Sequence, residues 1–398
     1  MSNITDYIGW RGDLAMEVSP WNEVDALLFA TLSYLDFHGT DNVRGWTLAE
    51  TKRLELLLRD TPASSEPRCG MYAAMADSRR FGDIRMHHAI SVTDAETVIQ
   101  FAAVCYDLPD GSLLIAFRGT DSTVVGWRED LNMSLFEAVP AQEAAEMYLR
   151  RAAEMDGRPL RIVGHSKGGN LAAYAAAGMD EAVQDRILEV YSFDGPGMSP
   201  DVFASEGYRR IAPKIRSFVP ETSIIGMLME YHREYRVVRS SASGMMQHDP
   251  LTWQVFGPHF EEVGEIDRTA LTARDTLHEW LDRSDPEQRA AFVDTVFQMI
   301  EGTKANTVGE LMSEKLKNLW SALGTTREIS PETRKTASKL VGLFLSLGAG
   351  NMVERYRSRW AEEKGAKKKI GPEDAEKADE PEKDGDEGTP GEGKGIDN

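Results

Sequence analysis

Apolar and polar residues alternate in two patterns, strand-like and helix-like, along the middle of the chain, between about residues 95 and 240. Short runs rich in β-branched and aromatic residues predict buried strands: TVIQFAAVCY, SLLIAF, LRIVGHS, ILEVYSF, KIRSFVPE and EYRVVRS. Two other segments have helical spacing, AQEAAEMYLRRAAEMDG and GGNLAAYAAAGM. DLPDG, between the first two of these runs, has the turn chemistry of a β-hairpin. Because strands that alternate with helices form βαβ units, the rest of the pattern predicts an α/β fold with a mainly parallel sheet flanked by helices.

The segments on either side of this region have helical spacing. Near the N-terminus, NEVDALLFATLSYLDF predicts an amphipathic helix that packs on the sheet. After residue 262, DRTALTARDTLHEWLDR and three later segments predict a helical region over residues 263–365. Residues 366–398 predict a disordered charged tail, since positions 371–398 hold 11 acidic residues, 3 lysines and no aromatic side chain.

Composition excludes several function classes. The chain has 45 Lys and Arg against 65 Asp and Glu, a formal net charge of −20, which argues against a nucleic-acid partner. Neither of its 2 cysteines has a Cys or His at ligand spacing, so we expect no metal and no cofactor. The N-terminus lacks a signal-peptide pattern, and LVGLFLSLGAGNM is too short to span a bilayer. We therefore expect a cytoplasmic protein without a transmembrane segment.

The sharpest chemical motif is Gly164-His165-Ser166-Lys167-Gly168, a match to G-x-S-x-G. Five residues alone form a weak signal. Here a β-branched strand precedes the motif and an Ala-rich helix follows it, which is the strand–turn–helix context of a nucleophile elbow. The pattern predicts Ser166 as a nucleophile, against the alternative of a Gly-rich turn without chemistry.

A serine hydroxyl needs a base to remove its proton. In an elbow fold the chain order is nucleophile, acid, histidine, so the base must come from His232, His248, His259 or His278. His248 follows the last predicted strand, EYRVVRS, at the place where such a sheet delivers its base. We therefore predict His248.

Two acidic residues end strands between the nucleophile and the base. Asp194 ends ILEVYSF, and Glu221 ends KIRSFVPE. The acid usually comes from the strand just before the one that delivers the histidine, which favours Glu221. Asp194 is the alternative, and its other possible role is to shape a Gly/Pro turn.

An oxyanion hole needs two hydrogen-bond donors. One is expected from the backbone N–H of Lys167, directly after the nucleophile. The other is expected at Thr120, where Gly119 lets the backbone turn after the strand SLLIAF. The Lys167 side chain has two possible positions: it reaches solvent, which we favour, or it lines the pocket and attracts an anionic substrate group.

These motifs resemble a known family. FRGT followed by W-x-x-D-L, then GHSKGGN and a late His near a Trp, is similar to the fungal-type (class 3) triacylglycerol lipases. LSYLDF, FDGPG and QHDP resemble more closely the Mbeg-like bacterial family, α/β-hydrolases related to those lipases. The resemblance covers roughly residues 20–262. It implies an α/β-hydrolase domain over 1–262 with Ser166 as nucleophile, Thr120 as oxyanion residue and His248 as base.

The chain departs from the lipase pattern at two positions. These lipases usually carry Leu after the nucleophile, where this chain has Lys167, and Asp as the acid, where the matching position is interpreted as Glu221. The predicted activity is therefore a lipase/esterase-like serine hydrolase that cleaves a carboxylic ester through an acyl-enzyme on Ser166. Its expected substrate is a small-molecule ester or a lipid-like ester. The alternatives are an amide or peptide hydrolase, or an inactive scaffold whose helical region binds a protein partner of unknown identity.

Overall fold

A computed structural model provides the structure of the protein. It describes residues 2–35, 45–53, 66–94, 96–120, 133, 139–223, 225–227, 229, 234–285 and 287–289. Every described residue belongs to one compact unit, Met1–Gly348. The predicted helices beyond residue 289 and the predicted charged tail over 366–398 lie outside the described residues. The boundaries expected at 262 and 365 stay predictions.

A nine-stranded sheet forms the centre of the described part of the chain. Its strands follow one another in space in the order β1 Trp46–Thr47, β2 Arg85–Asp94, β3 Ile99–Asp107, β4 Leu113–Phe117, β5 Leu160–His165, β6 Ile187–Phe193, β7 Ile215–Pro220, β8 Tyr235–Val238 and β11 Glu262–Val263. A separate two-stranded ribbon is made by β9 Val255–Phe256 and β10 His259–Phe260. All six strands predicted from the sequence are present.

The sheet is mixed, which corrects the expectation of a mainly parallel one. Strands β4 to β8 pair in parallel, whereas β1 to β4 pair antiparallel and β11 pairs antiparallel with β8. The links between β2 and β3 and between β3 and β4 are too short for a crossover, so these strands can only form hairpins. Strand β2 escaped prediction because its sequence RMHHAISVTD lacks a clear apolar run.

Helices cover both faces of the sheet. They are α1 Ile4–Arg11, α2 Glu23–Leu32, α3 Leu48–Arg53, α4 Glu66–Asp77, α5 Pro140–Met155, α6 Lys167–Ala177, α7 Glu181–Arg186, α8 Pro200–Ala204, α9 Glu206–Ile211 and α10 Arg268–Arg283. Helix α10 matches the predicted segment DRTALTARDTLHEWLDR. Among the helices within the described ranges, none has the length and apolar character that a membrane span requires.

The alternation of side chains along β4 explains the two-sided core. Leu114 and Ala116 point into one cluster with the helices from the N-terminal part of the chain. Leu113, Ile115 and Phe117 point into a second cluster with α5 and α6. A strand that is buried on both faces must be apolar throughout, and all five residues of β4 are buried. Strand β5, which leads to Ser166, is covered in the same way: Val163 lies in the first cluster, and Leu160 and Ile162 lie in the second.

Candidate active site

Ser166 occupies the sharp turn between β5 and α6. Its φ of 57° and ψ of −133° place a non-glycine residue in the left-handed half of conformational space. The glycines on either side are required by close backbone approaches. A Cβ at Gly164 would lie 2.0 Å from the carbonyl oxygen of Gly168, and one at Gly168 would lie 2.2 Å from the carbonyl oxygen of Phe117. The strained turn therefore matches the nucleophile elbow that the G-x-S-x-G pattern predicts.

His248 lies against Ser166. Its Nε2 is 3.0 Å from Ser166 Oγ, and its Nδ1 is 2.6 Å from Asp194 Oδ2. A carboxylate can only accept, so Nδ1 carries the proton and Nε2 is left to accept the hydroxyl hydrogen of Ser166. Asp194 is 1% exposed, whereas the His248 side chain is 30% exposed. The three side chains form a hydrogen-bonded line from Asp194 through His248 to Ser166, which is 5% exposed.

Asp194 is held in place from two directions. Its backbone has a φ of 49°, and its N–H donates to the carbonyl of Phe218 over 2.7 Å. The second carboxylate oxygen, Oδ1, accepts hydrogen bonds from the Ser223 hydroxyl and, over 3.2 Å, from the backbone N–H of Gly226. These bonds leave Oδ2 directed at His248.

The preference for Glu221 over Asp194 is not supported by this geometry. Glu221 follows β7, its carbonyl accepts from the N–H of Asp267, and its carboxylate forms no hydrogen bond or ion pair with any residue that the structure describes. His248 lies at the end of the short 3-10 helix Gly244–His248, which folds back over the ends of β5 and β6. His248 therefore bonds to Asp194, which follows β6. The order of the strands along the chain had favoured Glu221, which follows β7.

The expected oxyanion residues lie next to Ser166. Lys167 is the first residue of α6, where the N–H groups of a helix have no partner inside the helix. Gly119 packs against the elbow, since a Cβ placed on it would lie 3.0 Å from Ser166 Cβ. Thr120 follows it directly and is half-buried. The structure thus brings both predicted segments to the nucleophile.

The Lys167 side chain occupies neither of its two expected positions. It is completely buried, and its Nζ donates to the carbonyl oxygen of Gln100 over 2.8 Å. The favoured solvent-exposed position is therefore wrong. The end of this side chain therefore lies in the protein interior, against the backbone of β3.

Three polar residues of the site received no role from the sequence. Ser223 supports the acid, as described above. His165, inside the motif, and Tyr34, just after α2, form a hydrogen bond 2.9 Å long between Nδ1 and the phenol oxygen. Burial, and the nearby His248, lower the pKa of His165 well below its usual value. In the sequence, Tyr34 belongs to LSYLDF, and no local pattern there distinguishes it from an ordinary core tyrosine.

Two of the other three candidate histidines belong to other elements of the described structure. His259 belongs to the exposed side of the β9–β10 ribbon, His278 belongs to α10, and His232 lies outside the described residues. Within the ranges that the structure describes, no three His, Cys, Asp or Glu side chains are grouped so that they could hold a metal ion.

Comparison with known proteins identifies the family. The sequence profile of the Mbeg1-like family matches residues 75–298, more than half of the chain. The chain belongs to the Mbeg1-like family. A search of curated protein sequences found no match to it.

Two solved lipase structures resemble this member of the Mbeg1-like family. The crystal structure of M37 lipase has 16% sequence identity and a TM-score of 0.36, and the match covers 51% of this chain and 68% of the lipase. The native propeptide complex of Rhizomucor miehei lipase has 16% identity and a TM-score of 0.32, and the match covers 55% of this chain and 68% of the other.

Proposed function

We propose that this protein is a serine hydrolase that cleaves a carboxylic ester through an acyl-enzyme on Ser166. One observation carries the proposal: the continuous hydrogen-bonded line from Ser166 Oγ through both ring nitrogens of His248 to Asp194. A hydroxyl, an imidazole and a buried carboxylate in this order are the parts that activate a serine. In this proposal Asp194, and not Glu221, is the acid.

The acylation step follows from these contacts. Ser166 Oγ attacks the ester carbonyl while His248 Nε2 takes the hydroxyl proton, and Asp194 stabilises the imidazolium that forms. The carbonyl oxygen gains the negative charge, and the backbone N–H groups of Lys167 and Thr120 are the proposed donors to it. The tetrahedral intermediate then collapses, and the alcohol leaves with the proton that His248 returns.

Deacylation repeats the same proton movements with water. His248 Nε2 accepts a proton from a water molecule, and the resulting hydroxide equivalent attacks the acyl carbon. Collapse of the second tetrahedral intermediate releases the carboxylic acid and restores Ser166 Oγ–H. The exposed part of the His248 ring provides the route by which this water arrives.

The proposed substrate class is a neutral carboxylic ester. The buried Lys167 ammonium gives no reason to expect an anionic group next to the scissile bond. The acyl chain is best defined with p-nitrophenyl esters graded by chain length.

The proposal is tested by labelling the folded protein with a fluorophosphonate probe. Ser166→Ala should abolish labelling and lower ester turnover by roughly 10³–10⁶-fold, because the nucleophile is gone. The matched control is Ser112→Ala, at the opposite end of β4, where the hydroxyl donates to Asp110 in a turn. The control should label like the unmodified protein. A folded, unmodified protein that resists the probe would instead be an inactive scaffold.

A further inference from the structure

His165 lies directly before the nucleophile and uses both of its ring nitrogens. Its Nε2 is 2.8 Å from the backbone carbonyl oxygen of His248, and its Nδ1 is 2.9 Å from the Tyr34 hydroxyl. A carbonyl can only accept, so Nε2 carries the hydrogen and Nδ1 accepts from Tyr34. The two hydrogen bonds together select one tautomer of the ring. His165 is 3% exposed, so water does not compete for either bond.

The bond to His248 is made to its backbone, and the two imidazole rings also lie close together in a tilted arrangement. Their ring centroids are 4.6 Å apart with an angle of 37° between the planes. His248 is at the last position of a short 3-10 helix in a loop, without a strand ladder to hold it. The carbonyl bond from His165 ties this loop to the residue next to Ser166. Together with the bond to Asp194 and the bonds that Gln247 makes, it holds the residue whose ring Nε2 meets Ser166 Oγ.

The neutral state of the His165 ring is compatible with its position beside His248. Burial lowers its pKa, so the ring is neutral at ordinary pH. A neutral ring does not repel the imidazolium that would form on His248 during catalysis, whereas a charged ring 4.6 Å away would.

Tyr34 connects this arrangement to the oxyanion side of the site. Its hydroxyl approaches Gly119 so closely that a Cβ there would lie 2.0 Å from it. The phenol is 5% exposed and belongs to the segment just after α2. The Tyr34 side chain therefore contacts the elbow at His165 and the segment after β4 at Gly119.

We propose that His165 is a positioning residue, which holds the catalytic loop on the elbow by donating Nε2–H to the His248 carbonyl while Tyr34 fixes its tautomer. This inference rests on the proposed function, since it concerns the same base. It adds a second histidine and a tyrosine that do not touch the reacting atoms.

Two substitutions at His165 separate its two hydrogen bonds. In His165→Gln the longer side-chain amide places an N–H near the former Nε2, so this variant keeps the donor to His248. His165→Asn reaches only the former Nδ1 position, so it keeps a partner for Tyr34 and loses the bond to His248. Positioning predicts that the Asn variant loses about tenfold or more in kcat and in fluorophosphonate labelling rate, with KM little changed, because misplaced reacting groups lower the rate of the chemical step. The Gln variant should stay within about threefold of the unmodified protein, less than about 1 kcal/mol of barrier.

Tyr34→Phe supplies a second measurement that does not depend on the Asn variant folding. It should lower kcat about fivefold, equivalent to one ordinary hydrogen bond. In His165→Gln, which lacks the Nδ1 acceptor, the same change should have little further effect, so the two losses should not add. Melting temperatures are measured for every variant.

The outcomes are distinguishable. Equal rates in the Asn and Gln variants, additive losses with Tyr34→Phe, or rate losses that only follow the melting temperature would each overturn the positioning role while the proposed function stands. Failure of the unmodified protein to label would overturn both.

Discussion

Two buried carboxylates, Asp25 and Asp194, lie in the same domain with similar burial, 0% and 1% exposed. Asp25 is enclosed by donors: the Tyr7 hydroxyl and Arg80 Nε each reach Oδ1 over 2.9 Å, and Arg80 also bonds to Oδ2. Asp194 gives one oxygen to the ring of His248, whose other nitrogen lies 3.0 Å from the Ser166 hydroxyl oxygen. Burial and charge are thus shared features. The partner distinguishes a structural carboxylate from a candidate catalytic one.

The backbone conformations of Asp25 and Asp194 differ as well. Asp25 is in the first turn of α2, where it completes a capping box with Asn22. Asp194 and Ser166 both have positive φ values, 49° and 57°. Strained residues persist only where the surroundings hold them, and such residues are concentrated at functional sites. The contrast predicts that substitutions around Asp25 lower the free energy of unfolding, whereas substitutions around Asp194 lower the catalytic rate.

The largest expected effect is that of Asp194→Asn on turnover. Asparagine removes the charge that stabilises the imidazolium and allows the wrong tautomer of His248, so kcat should fall by about 10⁴-fold. Stability should change little, because the amide oxygen can still accept from Ser223 and Gly226. Ester turnover and thermal unfolding of the same preparation measure both. Glu221→Gln is the matched control, and a larger rate loss in that variant would restore Glu221 as the acid.

Asp25→Asn is the same substitution at the carboxylate that Arg80 and Tyr7 enclose. It leaves the Arg80 guanidinium buried without its anion, which should lower the free energy of unfolding by about 3–5 kcal/mol. The molecules that remain folded should label with fluorophosphonate at the unmodified rate. Urea unfolding measures the change in the free energy of unfolding. A slower labelling rate per folded molecule would show that this cluster also acts on the site.

A smaller effect is expected for Lys167→Met, which removes a buried ammonium but keeps the backbone N–H. Loss of the bond to the Gln100 carbonyl should cost about 1–3 kcal/mol of stability. The ratio of rates on anionic and neutral esters should stay within about twofold, since the charge does not face substrate. Rates on a matched pair of esters test this. A selective loss of roughly tenfold on the anionic ester would place the ammonium in the substrate pocket after all.

The smallest expected effect is the change that His165→Gln makes to the pH dependence of stability. Because burial lowers the pKa of His165, the unfolded chain protonates this ring below about pH 6.5 while the folded chain does not. Stability is therefore lost as the pH falls. Between about pH 7 and 5.5 the unmodified protein should lose about 1 kcal/mol more than the variant. Urea titrations at the two pH values measure the difference, and identical losses would mean that His165 is protonated in the folded state.

Much of this arrangement was predictable from local sequence. The requirement for Gly164 is local, since a Cβ there would meet the carbonyl oxygen of Gly168, whereas a Cβ on Gly168 would meet that of Phe117 on β4. His248 was predicted from its place after the last parallel strand, and the structure brings it to 3.0 Å from Ser166 Oγ. Antiparallel β2 was missed, because a strand of mixed polarity has no clear periodic signal.

The choice of the acid could not be made in the same way. Asp194 and Glu221 both end parallel strands, and nothing local separates them. What decides is where the loop that carries His248 folds back, a long-range contact made with His165 at the end of β5. The burial of Lys167 is equally non-local, because its acceptor belongs to Gln100 on β3, 67 positions away in the chain.

By itself, the sequence determined the α/β class, the parallel run of strands, the elbow and the candidates for nucleophile and base, since periodicity and glycine sterics act over a few residues. Only the tertiary structure decided the antiparallel strands β1, β2 and β11, the pairing of Asp194 with His248, the buried position of Lys167 and the contact of Tyr34 and His165 with the catalytic loop. Each of these depends on atoms brought together from distant parts of the chain, and no local pattern encodes the distance between them.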